Sequence, residues 1–317
     1  MTHQTAIGIF AYKRPAQLKK LLESLLRCQR VDECSVHIFC DGPKKPEVTP
    51  QTGEVLSIAR EAAEPLKAEI HASKENLGLA RSMSGGITAL AEQYERFIVL
   101  EDDLIVHPYF IDFLLQGLDR YEDVEEVGQI AGFTFPVKTP PRPHAFFLPL
   151  TTTWGWASWR RAWDLFSLDL ETARQMLEVD QDLRLRFDLD GAYKYSEILS
   201  LTAQGGIDTW DIQWYWQTFI HEKLTLYPRE SLAWQNGIDE NATHTHTLAT
   251  SIQKPYPEFL RTQWPDKIIF PESVRTNDVV FRRLKIFLKQ LNSQSKLKVI
   301  LSGIGLKLKS LYTGNDE

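Results

Sequence analysis

The chain has 317 residues, 43% of them hydrophobic and 25% charged, with a formal net charge of −6. That length and balance suit a folded protein with ample core and exclude disordered and collagen-like chains. The negative total offers no footprint for nucleic acid. Three cysteines, Cys28, Cys34 and Cys40, make no paired framework of the kind that staples small secreted domains.

The first third alternates strand and helix patterns. Ala6–Ala11 reads as a strand. Pro15 then opens a helix whose Leu18, Leu21, Leu22, Leu25 and Leu26 recur at helical spacing. Ser35–Cys40 is a second strand, ended by the turn signal Asp41-Gly42-Pro43. Val55–Ala63 reads as helix, Glu69–Ala72 as a short strand, Leu79–Tyr94 as helix and Phe97–Leu100 as a fourth strand. This order predicts a parallel, doubly wound half. Pro108 introduces a helix over Tyr109–Tyr121, and Val127–Phe133 is a further strand. Pro136 to Pro149 reads as linker, Thr151–Asp164 is dense in Trp, and Leu165–Leu201 is mostly helical. A helix with an aromatic face is expected over Asp208–Ile220, a strand over Leu224–Tyr227, and irregular polar chain over Leu232–Thr247.

The tail changes character. Between Val279 and Gly314 there are Lys and Arg but no acidic residue, and Phe281, Leu284, Phe287, Leu288 and Leu291 fall on one helical stripe. Such a segment can lie on an anionic membrane surface or pack back on the domain, and its composition leaves both open. The domain expectation is 1–275 as one catalytic unit, divided into 1–125 and 126–275, followed by the basic tail 276–317. No basic leader precedes the first strand pattern and no apolar run reaches 18 residues, so a cytoplasmic location is expected, peripheral to a membrane if the tail binds one.

The strongest chemical signal is Glu101-Asp102-Asp103, directly after the apolar run Phe97–Leu100. A run apolar on both faces reads as a central parallel strand, and such sheets bind ligands beyond the carboxyl ends of their strands. Adjacent carboxylates there raise one another's pKa unless a cation lies between them, and a hard divalent ion shared with a diphosphate fits. Asp103 is the first candidate for that ion, with Asp102 serving ribose or metal and Glu101 the donor sugar.

Further loops converge on the same end of the sheet. Ala11-Tyr12-Lys13-Arg14 follows the first strand; Tyr12 can stack on a base and Arg14 can meet phosphate. Asp41 ends the second strand and can accept from a ribose hydroxyl or a base N–H. In Asn76-Leu77-Gly78, Asn76 is a candidate helix N-cap, Gly78 permits close approach, and Arg81 would project toward the crevice. Gly155 between Trp154 and Trp156 suggests a flat aromatic surface for a pyranose, against the plainer reading of a core Trp cluster. Asp208-Thr209-Trp210-Asp211 embeds carboxylates among aromatics. Desolvation would raise the pKa of Asp211 toward that of a general base, while Asp208 could instead cap the helix. His244 or His246 could complete a metal shell. No Cys pair and no His-x-x-x-His spacing points to zinc.

In this order these residues resemble nucleotide-sugar-dependent glycosyltransferases of the GT-A fold, over about residues 5–245. The Glu-Asp-Asp form looks like the branch containing the animal N-acetylglucosaminyltransferases of N- and O-mannosyl glycans, and like bacterial sugar transferases of surface polysaccharides. The resemblance implies an α/β fold with a mostly parallel central sheet flanked by helices and a helical C-terminal extension. It implies Mn²⁺ or Mg²⁺ at Asp103, to which the late loop could add His244 or His246. It implies a nucleotide-diphosphate sugar, UDP favoured, bound by Ala11, Tyr12, Arg14, Asp41, Asn76, Gly78, Arg81, Glu101 and Asp102. A glycan or lipid-linked glycan acceptor would meet Trp154, Gly155, Trp156, Asp208 and Trp210, with Asp211 as base of an inverting transfer. The animal enzymes carry two adjacent acids after that Trp, where this chain has Asp211-Ile212. The alternatives are a carbohydrate-binding protein without turnover and a sugar-1-phosphate nucleotidylyltransferase, although the loop 11–15 lacks the glycines of the latter.

Overall fold

The computed structural model describes residues 4–237, 253–265 and 267–292. The strands are β1 (Thr5–Ala11), β2 (Cys34–Cys40), β3 (Glu69–Ala72), β4 (Arg96–Glu101), β5 (Leu104–Val106), β6 (Val127–Ala131), β7 (Ala145–Leu148), β8 (Trp156–Trp159), β9 (Leu224–Pro228) and β10 (Ala233–Gln235). The helices are α1 (Pro15–Leu25), α2 (Thr49–Leu66), α3 (Leu79–Gln93), α4 (Phe110–Arg120), α5 (Arg160–Trp163), α6 (Glu171–Val179), α7 (Gln181–Phe187), α8 (Tyr195–Ala203), α9 (Asp211–Ile220), α10 (Tyr256–Leu260) and α11 (residues 278–292).

Eight strands form one sheet in the order β3-β2-β1-β4-β8-β6-β9-β7. The β3-β2-β1-β4 half is parallel throughout, as the alternating pattern requires. Phe97, Ile98, Val99 and Leu100 are fully buried, so β4 is covered on both faces. Helix α1 buries Leu18, Leu21, Leu22 and Leu25 on one stripe, with Pro15 in its first turn. The second half is mixed: β8 runs antiparallel between β4 and β6, β9 is parallel to β6, and β7 is an antiparallel edge. The expected α/β architecture, a mostly parallel central sheet flanked by helices with a helix at the C-terminal side, is the one observed.

Two expectations need correction. The segment Pro136–Pro149 is not all linker: Ala145–Leu148 forms β7, paired to β9 along its whole length. Prolines flank that strand without interrupting it, and an edge position tolerates them. The Trp-rich stretch contains β8, whose Trp156 is buried and stacks on Trp210 and Trp214 at centroid separations of 5.7 and 5.6 Å. Short β5 and β10, also missed, make a separate antiparallel ribbon beside the acidic turn.

The apolar stripe of α11 packs against the core. Val280, Leu284, Leu288 and Leu291 are buried, and Phe287 meets Phe135. Over these residues the stripe covers protein, and the basic segment beyond 292 lies outside the described residues. No described helix is long and apolar enough to cross a membrane.

Candidate active site

Strands β1, β2 and β4 end at the same edge, and their following loops enclose a cavity of about 500 Å³. Ala11, Tyr12, Arg14, Asp41, Asn76, Gly78, Glu101, Asp102, Asp103 and Asp208 line it. Register explains the meeting: Phe10 on β1 pairs with Glu101 on β4, and Ala11 with Cys40 on β2. Arg81 is exposed and lies outside the lining set, with Ser82 and Met83 facing the cavity instead.

The three acids have different partners. Asp102 Oδ2 accepts from the Tyr12 backbone N–H at 3.1 Å. Asp103 Oδ2 is ion-paired with the Arg14 guanidinium, while its Oδ1 is buried without a hydrogen-bond partner. Arg14, expected on phosphate, is therefore the internal counter-ion of Asp103. Burial, then the neighbouring Asp103, pushes the Asp102 carboxyl from 3.8 up to about 7. Glu101 is raised well above the ordinary range by burial first, then by the charges of Asp103, Asp211 and Asp102. A partnerless buried carboxylate oxygen among acids that resist ionisation is a donor set suited to a hard divalent cation. Asp103, through that free oxygen, is the candidate ligand; among the described residues the oxygens of Glu101, Asp102 and Asp103 do not all converge within 4.8 Å of one another.

The loops around this edge are tied to one another. Asp41 Oδ1 accepts from Gly42 N and Leu77 N, both at 2.9 Å, and Oδ2 accepts from the Asn76 amide at 2.8 Å. Asn76 does not cap α3. The cap comes from Asp208, far away in sequence, whose carboxylate accepts from Leu79 N at 3.0 Å and Ala80 N at 3.1 Å. The helix enters through Gly78 at φ 81°, and a Cβ there would stand 2.8 Å from Asp208 Oδ2. Asp208 thus lines the acidic cavity. On the other side, a Cβ on Gly237 would lie 2.5 Å from Asp103 Oδ2 and 2.8 Å from the Arg14 guanidinium. The segment after β10 closes tightly over that ion pair, and Asn236 N donates to the Asp103 carbonyl at 2.6 Å.

The expected aromatic platform is mostly core. Trp156 and Trp210 are buried with Trp163 and Trp214, and Gly155 packs at φ 71° beneath Phe110. Trp154 alone of that trio is partly exposed. It lines a second cavity of about 240 Å³ with Phe133, Tyr193, Tyr195, Asp211 and, from α11, Leu288 and Leu291. Asp211 opens α9 beside that cavity and is exposed, so the premise that aromatics strip its water does not hold. Its Oδ1 accepts from the Thr209 hydroxyl and from Ile212 N. Tyr193 and Tyr195, missed from sequence, arrive from the bend before α8 and from its first residue. His244 and His246 lie outside the described residues.

No protein-family model matches the chain, and no curated protein matches it. Among solved structures, that titled Crystal structure of S. aureus TarS aligns at a TM-score of 0.43 and 10% identity, over 74% of this chain and 37% of its own. A second, of S. aureus TarS 1-349, aligns at the same score and identity over 74% of this chain and 60% of its own. The chain thus spans less than two thirds of either protein, and likeness at this level carries no weight beside the geometry.

Proposed function

We propose that the chain is a GT-A-type, metal-dependent, inverting glycosyltransferase that moves a hexosyl or N-acetylhexosaminyl group from a nucleotide-diphosphate sugar, UDP favoured, to a hydroxyl of a glycan or lipid-linked glycan. The observation that carries this reading is the position of Glu101. It lies at the end of β4 in the acidic cavity, together with Asp208, and Asp211, three residues further along that chain segment, lines the aromatic one. Two adjoining cavities, one suited to a charged donor and one to a sugar ring, are what transfer between two bound substrates needs.

In this reading Asp103, supported by Asp102 and Glu101, holds Mn²⁺ or Mg²⁺. The bound ion supplies charge neutralisation to the departing diphosphate. Tyr12 presents a ring for the base and Asp41 fixes the loop beneath the nucleoside. Arg14 exchanges its Asp103 partner for phosphate oxygens, which it can also meet in bidentate fashion. The acceptor lies on Trp154 and Tyr193. Asp211 takes the proton from its attacking hydroxyl at Oδ2, the oxygen opposite the one fixed by Thr209 and Ile212. Attack from the face opposite the diphosphate inverts the anomeric carbon.

The test is incubation of the full chain with Mn²⁺ and a panel of nucleotide sugars, scoring nucleoside diphosphate and free or transferred sugar. Release that disappears in Asp103→Ala supports the assignment. Tight sugar binding with no release from any donor would overturn it in favour of a carbohydrate-binding protein.

A further inference from the structure

At the far edge of the sheet a second group of ligating side chains has no part in the acidic cavity. His37 on β2 pairs with Glu69 on β3 in the parallel register, and His71 stands two residues further along β3 on the same face. Their donor atoms all lie within 4.8 Å of one another. His37 Nδ1 is 3.1 Å from His71 Nε2 and 3.7 Å from Glu69 Oε2, and His71 Nε2 is 3.8 Å from Glu69 Oε1. Ligands of a tetrahedral zinc ion at ordinary bond lengths stand about 3.3–3.5 Å apart. The two imidazole nitrogens stand close to that edge, and the exposed Glu69 carboxylate, which meets each ring through a different oxygen, would turn to bring one oxygen to both.

The surroundings are those of a supported ligand set. His37 is buried, and its Nε2 lies 3.0 Å from the Tyr94 hydroxyl. In the tautomer with the proton on Nε2, His37 donates to Tyr94 and turns the Nδ1 lone pair toward His71 and Glu69. The His71 ring is stacked on Phe39 at 4.5 Å, which fixes its plane. Glu69 keeps a side-chain exposure of 66% and His71 of 34%, leaving an entry path and a position for water. His37 lies four residues before Asp41, about 13 Å along the strand, well away from the acidic turn.

We infer that His37, Glu69 and His71 form a zinc site, two imidazoles and one carboxylate with water as fourth ligand, that pins edge strand β3 to β2. Linear spacing hides it because the ligands sit on neighbouring strands rather than on one helix or loop. The inference is independent of the transferase reading, since none of these side chains touches the acidic cavity.

The probes are Zn²⁺ and Co²⁺ added to the full chain after chelation. Cobalt is expected to show the intense visible bands of a tetrahedral nitrogen-containing site, and zinc to displace it with loss of those bands, whatever further ion the acidic cavity takes. His71→Ala should abolish the bands and weaken zinc more than about 100-fold, since loss of an outer partner alone costs about 10–100-fold. Tyr94→Phe should fall within that outer range. Glu69→Gln, at an exposed position, gives the same readout should His71→Ala fail to fold. Wild-type protein without tetrahedral bands, or with bands that survive both ligand substitutions, would overturn the site.

Discussion

The acidic cavity and the aromatic cavity beside it are built in opposite ways. In the first, polar side chains at strand ends are fixed by hydrogen bonds: Asp41 by three N–H donors, Asp208 by the first turn of α3, Asp102 by Tyr12. In the second, position is set by packing. Trp156, Trp210 and Trp214 are stacked behind the start of α9, and the carboxylate they support is left exposed. Hydrogen-bonded loops at a sheet edge hold charge where it can be neutralised. A buried aromatic stack fixes the helix start that presents the group. Here Trp beside Asp in the sequence marks a core ring next to an exposed carboxylate.

Substitutions can break this contrast. The largest effect is expected for Asp103→Ala: donor cleavage should fall more than about 1,000-fold, beyond the usual loss of a single electrostatic contact. Chelation of wild-type protein should match it, and restored activity with Mn²⁺ in the variant would remove Asp103 from the metal shell. Asp211→Asn should lower turnover by about 100- to 10,000-fold with donor affinity unchanged, measured by titration and by single turnover. Unchanged turnover would assign the proton elsewhere.

Trp210→Ala should cost about 3–5 kcal/mol of stability in denaturant melts, as for a buried aromatic, whereas Trp154→Ala should spare stability and weaken acceptor use. Equal destabilisation by both would erase the distinction between core and surface Trp. A smaller effect concerns pH. The Asp102 carboxyl is held at about 7 when folded against 3.8, so the folded state binds the extra proton. In chelated protein its contribution is most favourable below pH 4 and is lost as pH rises to about 7. Thermal melts of Asp102→Asn should flatten that decline, and added Mn²⁺ should raise the wild-type melting temperature more at pH 8 than at pH 5. The smallest effect is expected for Asp208→Ala, about 1 kcal/mol for a lost helix cap, read by equilibrium melts.

Much of the acidic half was legible in the residues. Phe97–Leu100 is apolar on both faces because β4 is central, Glu69–Ala72 is a strand with the bounds its pattern implies, and Pro15 starts α1. The rest failed for identifiable reasons. Asn76 sits at the favoured capping distance, but a carboxylate 129 positions from Leu79 takes the role. Local pattern carries no record of such a partner. Prolines around Ala145–Leu148 hid an edge strand that needs few donors. Trp156 looked like a sugar platform because stacking chemistry is the same inside and outside a core, and only burial separates them.

The missing side chain at position 237 has a consequence of its own. With so little clearance above Asp103 and Arg14, that backbone leaves no room for a side chain in this arrangement. Even one methyl group there would have to displace Asp103 and the Arg14 guanidinium. Position 237 is therefore a place where the size of what may sit beside Asp103 can be rationed by a single carbon.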